Sequence, residues 1–281
     1  MQILDGKRVS TKLKDEAQKE VTQLKSAGIT PGLAVILVGD DPASHIYVNM
    51  KQKTCEDVGI YSIVHKMPDD ISEEKIIETI QMMNKNPNID GILVQLPLPP
   101  HIDEERVIGS IDPNKDVDGF HPCNVGRLSL GMDCFAPCTP LGVMRLLKEY
   151  DIELKGLDAC VVGASNIVGK PMMNLILNEF ATVDICHIHT KDLSSHTKRA
   201  DIIFVGVGKI NLITEDMVKD GAIIIDIGIN KNSEGKTVGD VDFENVSKKC
   251  SYITPVPGGV GPMTIAMLIN NTIKAAKKRG K

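Results

Sequence analysis

Residues Asp90–Pro100, DGILVQLPLPP, decide how the rest of the chain is read. Ile92, Leu93 and Val94 form a short apolar run after Gly91, the mark of a strand covered on both faces. Gln95 interrupts the run, and Pro97, Pro99 and Pro100 then forbid further ladder or helix. A polar amide at the carboxyl end of a buried parallel strand stands where open α/β sheets bind ligands. Taken alone, the stretch also fits a glutamine that merely caps a strand end. Its surroundings separate the two readings.

Upstream, Leu33–Val38 (LAVILV) reads as a second buried strand, ended by the turn residues Gly39-Asp40-Asp41-Pro42. Ser44 follows as the expected N-cap of a helix over Ile46–Val58. Val9, Leu13, Ala17, Val21 and Leu24 recur at helical spacing up to a stop at Gly28. Tyr61–Met67 is expected as a strand, Ser72–Asn84 as a helix capped by Ser72, and Ile92–Leu96 as the third strand. Such alternation means a parallel α/β sheet. Downstream, Ile111–Asn124 is an irregular loop rich in Asp, Pro and Gly, the kind of segment that carries function. Pro137–Tyr150, with Thr139 as N-cap and Pro140 at the first helical position, leads into a second domain. There the alternation restarts with strand Asp158–Val162, helix Pro171–Glu179 and strands Thr182–His187, Ile202–Val205 and Ile223–Ile227. The last helix, Thr264–Lys278, is expected to return to the first domain. The predicted fold is α/β with two domains: residues 1–138, completed by 264–281, and residues 139–263.

Composition narrows the function classes. The 281 residues are 42% hydrophobic and 25% charged, an ordinary globular balance with ample core. A net charge of −5 and 3% aromatics argue against a nucleic-acid surface. Seven cysteines show no CxxC pair and no zinc spacing; Cys134 and Cys138 are the nearest neighbours. Free thiols in a reducing compartment, and no metal, are expected. The opening MQILDGKRVS has no apolar signal region, and no apolar run approaches spanning length. A cytoplasmic protein with no membrane partner is the expectation. The basic tail, Lys274, Lys277, Lys278 and Arg279, reads as the solvated last turns of a helix.

The second domain carries a nucleotide signature. Val161–Pro171, VVGASNIVGKP, lies between a buried strand and a helix, where backbone amides and a helix N-terminus can meet a pyrophosphate. It departs from GxGxxG, since Ser165 stands at the second glycine and Gly169 comes late. Gly206 and Gly208 after one strand, and Asp226-Ile227-Gly228 after another, favour a Rossmann-like site over a bare structural turn. The adenosine end is marked by an absence: Cys186-His187-Ile188-His189-Thr190-Lys191 holds no Asp or Glu for a ribose 2′-hydroxyl. His187, His189 and Lys191 suit a 2′-phosphate instead, so NADP is expected, with NAD possible. A metal pair at His187 and His189 has no third ligand nearby. The expected cofactor contacts are Gly163, Ala164, Ser165, Ile167, Val168, His187, Thr190, Gly206, Gly208 and Ile229.

The first domain supplies reactive groups. Tyr47 and Lys51 lie four apart at the start of the helix after Leu33–Val38, so they share a face. From spacing alone they are an ordinary exposed pair. Their helix starts, however, at the same sheet edge as Gln95, and a lysine reaching into a cleft can act as base or proton donor. Asp118, in Lys115-Asp116-Val117-Asp118-Gly119, leaves that same edge; the role of simple turn aspartate suits Asp112, before Pro113, better.

At this point the chain resembles the bifunctional methylenetetrahydrofolate dehydrogenase/methenyltetrahydrofolate cyclohydrolase family. The matching segments are Tyr47-Val48-x-x-Lys51, Gly91–Leu98 (GILVQLPL), Lys115–Gly119 (KDVDG), Pro137–Pro140 (PCTP), Gly163-x-Ser165-x-Ile167-Val168-Gly169 and Pro255–Thr264 (PVPGGVGPMT). They fall in order over nearly the whole chain. The resemblance implies that Lys51 is the catalytic lysine of the cyclohydrolase step. It also implies that Gln95 holds Lys51, that Tyr47 stacks on the folate and that Asp118 hydrogen-bonds the pterin. Substrate contacts would further include Ser44, Leu96, Pro257, Gly258 and Gly259, the last three on a wall of a folate cleft between the domains. A homodimer is implied as well. The chain departs from the family at Ala164, where many members have arginine, and at Ile188, where serine or arginine often occurs. Ile210 likewise replaces a common proline. Two other classes compete: a single-activity NAD(P)-dependent dehydrogenase of another small substrate, and a non-catalytic nucleotide sensor. Neither gives a reason for Tyr47, Lys51 and Gln95 together.

Overall fold

The computed structural model describes Met1–Arg279, and the chain divides into two compact units. One comprises residues 12–138 with the chain from Ile265 on; the other comprises Met1–Thr11 and Thr139–Thr264. The strands among the described residues are β1 (Gln2–Ile3), β2 (Gly32–Val38), β3 (Tyr61–Met67), β4 (Gly91–Val94), β5 (Asp158–Val162), β6 (Thr182–Cys186), β7 (Ile202–Val205), β8 (Ile223–Asp226), β9 (Asn230–Lys231), β10 (Thr237–Val238) and β11 (Tyr252–Ile253). No helix among the described residues is long and apolar enough to cross a membrane.

In the first unit, β3, β2 and β4 form a parallel sheet in the order β3-β2-β4. Every residue of β2 and β4 is buried, which explains their unbroken apolar runs. The chain goes from β2 to its neighbour β3 and then crosses to β4 on the other side of β2. The connections therefore diverge between β2 and β4, and the crevice beyond their carboxyl ends is where such sheets take ligands. Lys115–Asp118 runs alongside β4: Ile92 N donates to Lys115 O at 2.7 Å and Ile92 bridges Asp116. This approach needs Gly91, whose added Cβ would lie 2.8 Å from both Val117 methyls.

The second unit holds a six-stranded parallel sheet in the order β1-β11-β8-β7-β5-β6. From β5 the chain passes to β6 on one side and then to β7 on the other, so the crevice opens at the carboxyl ends of β5 and β7. Apolar residues of five strands and the flanking helices, among them Val162, Ile203, Val205, Ile224 and Ile253, make its core.

Several expectations need correction. Residues 1–11, expected in the first domain, belong instead to the second unit, where β1 pairs in parallel with β11. The helix after β2 runs Pro42–Val58, capped by Asp41, whose side chain accepts from Ser44 N at 2.7 Å. Ser44 is thus a buried first-turn residue and not the cap; Pro42 at the first position starts the helix earlier. The strand expected over Ile92–Leu96 stops at Val94, and Leu96-Pro97 is a cis peptide. Thr139 is likewise no cap: its helix is Cys138–Glu149, and its hydroxyl pairs with that of Thr264 at 2.9 Å. Helix Gly169–Asn178 begins two residues before the expected Pro171, and the last helix runs Val260–Arg279. The final residues of the expected 264–281 segment, 280 and 281, lie outside the described residues.

Candidate active site

The two elements that leave the crevice of the first sheet meet at one bond. Lys51 Nζ donates to Gln95 Oε1 at 2.9 Å, and Gln95 Nε2 donates to Leu96 O at 2.7 Å. Gln95 is itself held by its backbone, N donating to Ile36 O at 2.9 Å, so β2 fixes the residue that fixes the lysine. Lys51 is only 9% exposed, which removes the reading of an ordinary surface position. Tyr47, one turn earlier, is 36% exposed, and burial of its ring pushes the phenol above its ordinary value. Ser44 is buried one turn further back.

Asp118 completes this cluster. Burial pushes its carboxyl up from the usual range, the charge of Lys51 pulls it back, and Asp116 adds to the rise. Asp112 is a turn aspartate as expected, Oδ1 accepting from Asn114 N at 2.9 Å.

Three positioning residues escaped the sequence reading. Asp116, 1% exposed, accepts from the amides of Gly119, Phe120 and His121 and from Asn124 Nδ2 at 2.8 Å. It shapes the turn that follows Asp118. Asn271, 2% exposed on the last helix, donates Nδ2 to Val117 O at 2.9 Å and to Ala136 O at 3.2 Å. Cys138 donates its thiol to the same Val117 carbonyl at 3.3 Å, and burial next to Asp118 drives that thiol well above its ordinary value. Asn271 stands in the polar trio Asn270-Asn271-Thr272 between the apolar run Ile265–Ile269 and Ile273, and that interruption was the available signal.

In the second unit the glycine loop after β5 is built for close approach. Gly163 has φ +118°, and a Cβ on Gly169 would fall 1.9 Å from Gly163 O. Ser165 Oγ accepts from Val168 N at 3.2 Å and Gly169 N at 3.4 Å, so the residue at the missing glycine ties down the turn that leads into the helix. Ala164 is half-buried, Ile167 is exposed and Val168 is half-buried. After β6, His187 N donates to Thr190 Oγ1 at 2.9 Å and His189 N to His187 Nδ1 at 3.1 Å, a tight turn with Ile188 at its tip, 93% exposed. Gly206 and Gly208 follow β7, and Ile229, 51% exposed, follows β8. These residues all lie at the carboxyl edge, on the loops around the β5/β7 crevice. Pro257, Gly258 and Gly259 belong to the same unit, in a loop with a cis Val256-Pro257 peptide and Gly258 at φ +109°. Lys51, Gln95, Asp118 and Tyr47 belong to the first unit. Among the described residues no group of three or more His, Cys, Asp or Glu could hold a metal ion.

The comparisons with known proteins agree with both halves. A family model described as the tetrahydrofolate dehydrogenase/cyclohydrolase catalytic domain matches residues 4–118, and that of its NAD(P)-binding domain matches residues 137–280. The chain is 74% identical over 280 residues to the bifunctional protein FolD of a Nitratiruptor species, covering 99% of each. The crystal structure of the bifunctional enzyme FolD from Campylobacter jejuni shares 57% identity and a TM-score of 0.98, covering 99% of each chain. That of the Trypanosoma brucei enzyme, complexed with NADP cofactor and inhibitor, shares 34% identity and a TM-score of 0.95, covering 99% of this chain and 98% of that one. The chain belongs to the tetrahydrofolate dehydrogenase/cyclohydrolase family.

Proposed function

We propose that the chain catalyses two consecutive steps on one folate. The first oxidises 5,10-methylenetetrahydrofolate to the 5,10-methenyl form with NADP; the second hydrolyses that product to 10-formyltetrahydrofolate. The observation that carries the reading is the Lys51–Gln95 bond at the crevice of the first sheet, in a chain of this family.

The second unit fits the cofactor on its own geometry. The cradle between Gly163 and Gly169 has no room for a Cβ, and backbone amides of the loop and helix N-terminus can face a pyrophosphate. His187, His189 and Lys191 are exposed at the end of β6 with no carboxylate among them, which supports a 2′-phosphate over a bare ribose. When bound, NADP supplies the acceptor for the hydride that leaves the N5–CH2–N10 bridge. A nitrogen lone pair of the folate drives that departure, so orientation is the main demand on the protein. We assign it to Tyr47, stacking on the folate, and to Asp118, hydrogen-bonding the pterin.

The second step needs a proton carrier. Water adds its oxygen to the methenyl carbon, the C–N5 bond breaks, and the oxygen loses two protons, one of which ends on N5 and one in solvent. With one N–H committed to Gln95 Oε1, the Lys51 amine is aimed by that bond while its remaining valences exchange the proton. A homodimer and a cytoplasmic setting belong to the same proposal; family membership supports the first, and seven free cysteines support the second.

The experiment is an assay with 5,10-methylenetetrahydrofolate and either NADP or NAD, following reduced cofactor and methenyl absorbance together. Reduced cofactor without accumulating methenyl product, and faster with NADP, is the expected result. No reduction with either cofactor would leave the sensor reading in its place.

A further inference from the structure

The loop after β7 is held by a buried carboxylate that no step above uses. Asp240, fully buried, receives the three successive amides of Val207, Gly208 and Lys209: Oδ2 accepts from Val207 N at 2.6 Å and Gly208 N at 3.1 Å, and Oδ1 from Lys209 N at 2.8 Å. A fourth donor, Asn230 Nδ2, reaches Oδ1 at 2.8 Å. Consecutive amides pointing into one concavity form a nest that binds anions, and here the anion is built in.

The carboxylate is delivered from the far side of the crevice. The β9–β10 hairpin turns the chain back so that Asp240 sits under Gly228, where an added Cβ would fall 2.3 Å from Asp240 Cγ. Asp226, at the end of β8, accepts from Asp240 N at 3.0 Å, Val241 N at 2.9 Å and Gly228 N at 2.9 Å. The ends of β7 and β8 are thus tied together through two buried side chains. The loop itself has little else to fix it: Val207, Gly208, Lys209 and Ile210 are all exposed. Because the adenosine half of a dinucleotide lies on the β6 side of the crevice, the β7 loop faces the nicotinamide half.

We propose that Asp240 is a positioning residue for the dehydrogenase step, holding the Val207–Lys209 loop in the shape that receives the nicotinamide half of NADP. This rests on the two-step function proposed above. Hydrolysis of added methenyl substrate needs no cofactor, so the two activities of one preparation report on Asp240 separately.

The test measures kcat and KM for NADP in the dehydrogenase reaction, and methenyltetrahydrofolate hydrolysis without cofactor, for wild type, Asp240→Asn and Asn230→Ala. In Asp240→Asn an amide NH2 faces N–H donors, and the loss of charged acceptor bonds raises KM for NADP about tenfold or more. Hydrolysis stays within about twofold. Asn230→Ala removes one donor of four and raises KM for NADP by about threefold. An unchanged KM in Asp240→Asn, or an equal fall of both activities, overturns the proposal. Should Asp240→Asn fail to fold, Asn230→Ala decides: a raised KM supports the proposal and an unchanged one overturns it. Failure of the two-step function itself appears in the wild-type protein, before any variant is compared.

Discussion

Lys51 and Gln95 stand 44 residues apart in sequence and share a 2.9 Å hydrogen bond across the crevice where the β2 and β4 connections diverge. The amine comes from the helix that leaves β2 and the amide from the end of β4, so neither side chain is placed by its own element alone. The bond selects which face of the amine remains for substrate. A fixed partner of this kind turns a mobile lysine into an oriented one.

Asp118 is expected to serve both steps by orienting the pterin. Asp118→Asn keeps the shape and removes the charge, and folate KM rises by about tenfold in both reactions with the fold retained. Steady-state kinetics of the two half-reactions check this. Unchanged constants in both would remove Asp118 from the site.

The glycine cradle gives a variant that separates the activities from the other side. A Cβ at Gly169 falls 1.9 Å from Gly163 O, so Gly169→Ala must displace backbone and not a flexible side chain. Affinity for NADP drops by about a hundredfold, while hydrolysis of methenyltetrahydrofolate continues. Isothermal titration with NADP and a cofactor-free hydrolysis assay read the two effects. Wild-type NADP affinity would contradict the placing of the pyrophosphate.

Asn271 links stability to the substrate side. Replacing it with Ala leaves the buried Val117 and Ala136 carbonyls short of a donor and costs about 2 kcal/mol in denaturant unfolding. Val117 precedes Asp118, so folate KM rises in the same variant. A loss of stability with folate KM unchanged would make Asn271 a fold residue only.

The buried carboxylate at the end of β8 makes stability depend on pH. Burial pushes Asp226 up from 3.8 to about 6, ahead of the opposing pull of three amides. The folded state then holds that proton more tightly than the unfolded chain does. Its contribution favours folding at low pH and is lost as pH rises through the window from about 4 to 6, by about 3 kcal/mol. Urea unfolding of wild type and Asp226→Asn across that window isolates the slope of Asp226 and its neighbour Asp240, since carboxylates remote from the pair cancel in the difference. A difference that is flat, or that rises with pH, contradicts the assignment.

The parts legible in the sequence were those encoded locally. The unbroken apolar runs of β2, β4 and β5 announce strands buried on both faces, and glycines at the ends of β5 and β7 announce the crevice. Lys51 and Gln95 could be placed at one sheet edge because the helix after β2 and the end of β4 both lie there, while their pairing came only as an implication of the family resemblance. What stayed hidden depends on partners far along the chain. β1 joins the second unit through pairing with β11, and nothing in its two residues says so. Asp240 and Asn271 act on loops 31 to 33 and 135 to 154 residues away, and their types alone suggest only turns or solvent. The displaced caps have a nearer cause. Asp41 and Ser44 are both good N-cap residues, and Pro42 at the first helical position decides in favour of Asp41.

The measurement that tests the central claim most directly is the paired assay on Lys51→Met beside wild type. Methionine fills the buried space of the lysine stem, so the fold is retained. The account predicts that reduced cofactor still forms while the methenyl product accumulates, with hydrolysis slowed by about a hundredfold or more. Hydrolysis at the wild-type rate in that variant would contradict the role of Lys51, and with it the reading of the Lys51–Gln95 bond as the centre of the second step.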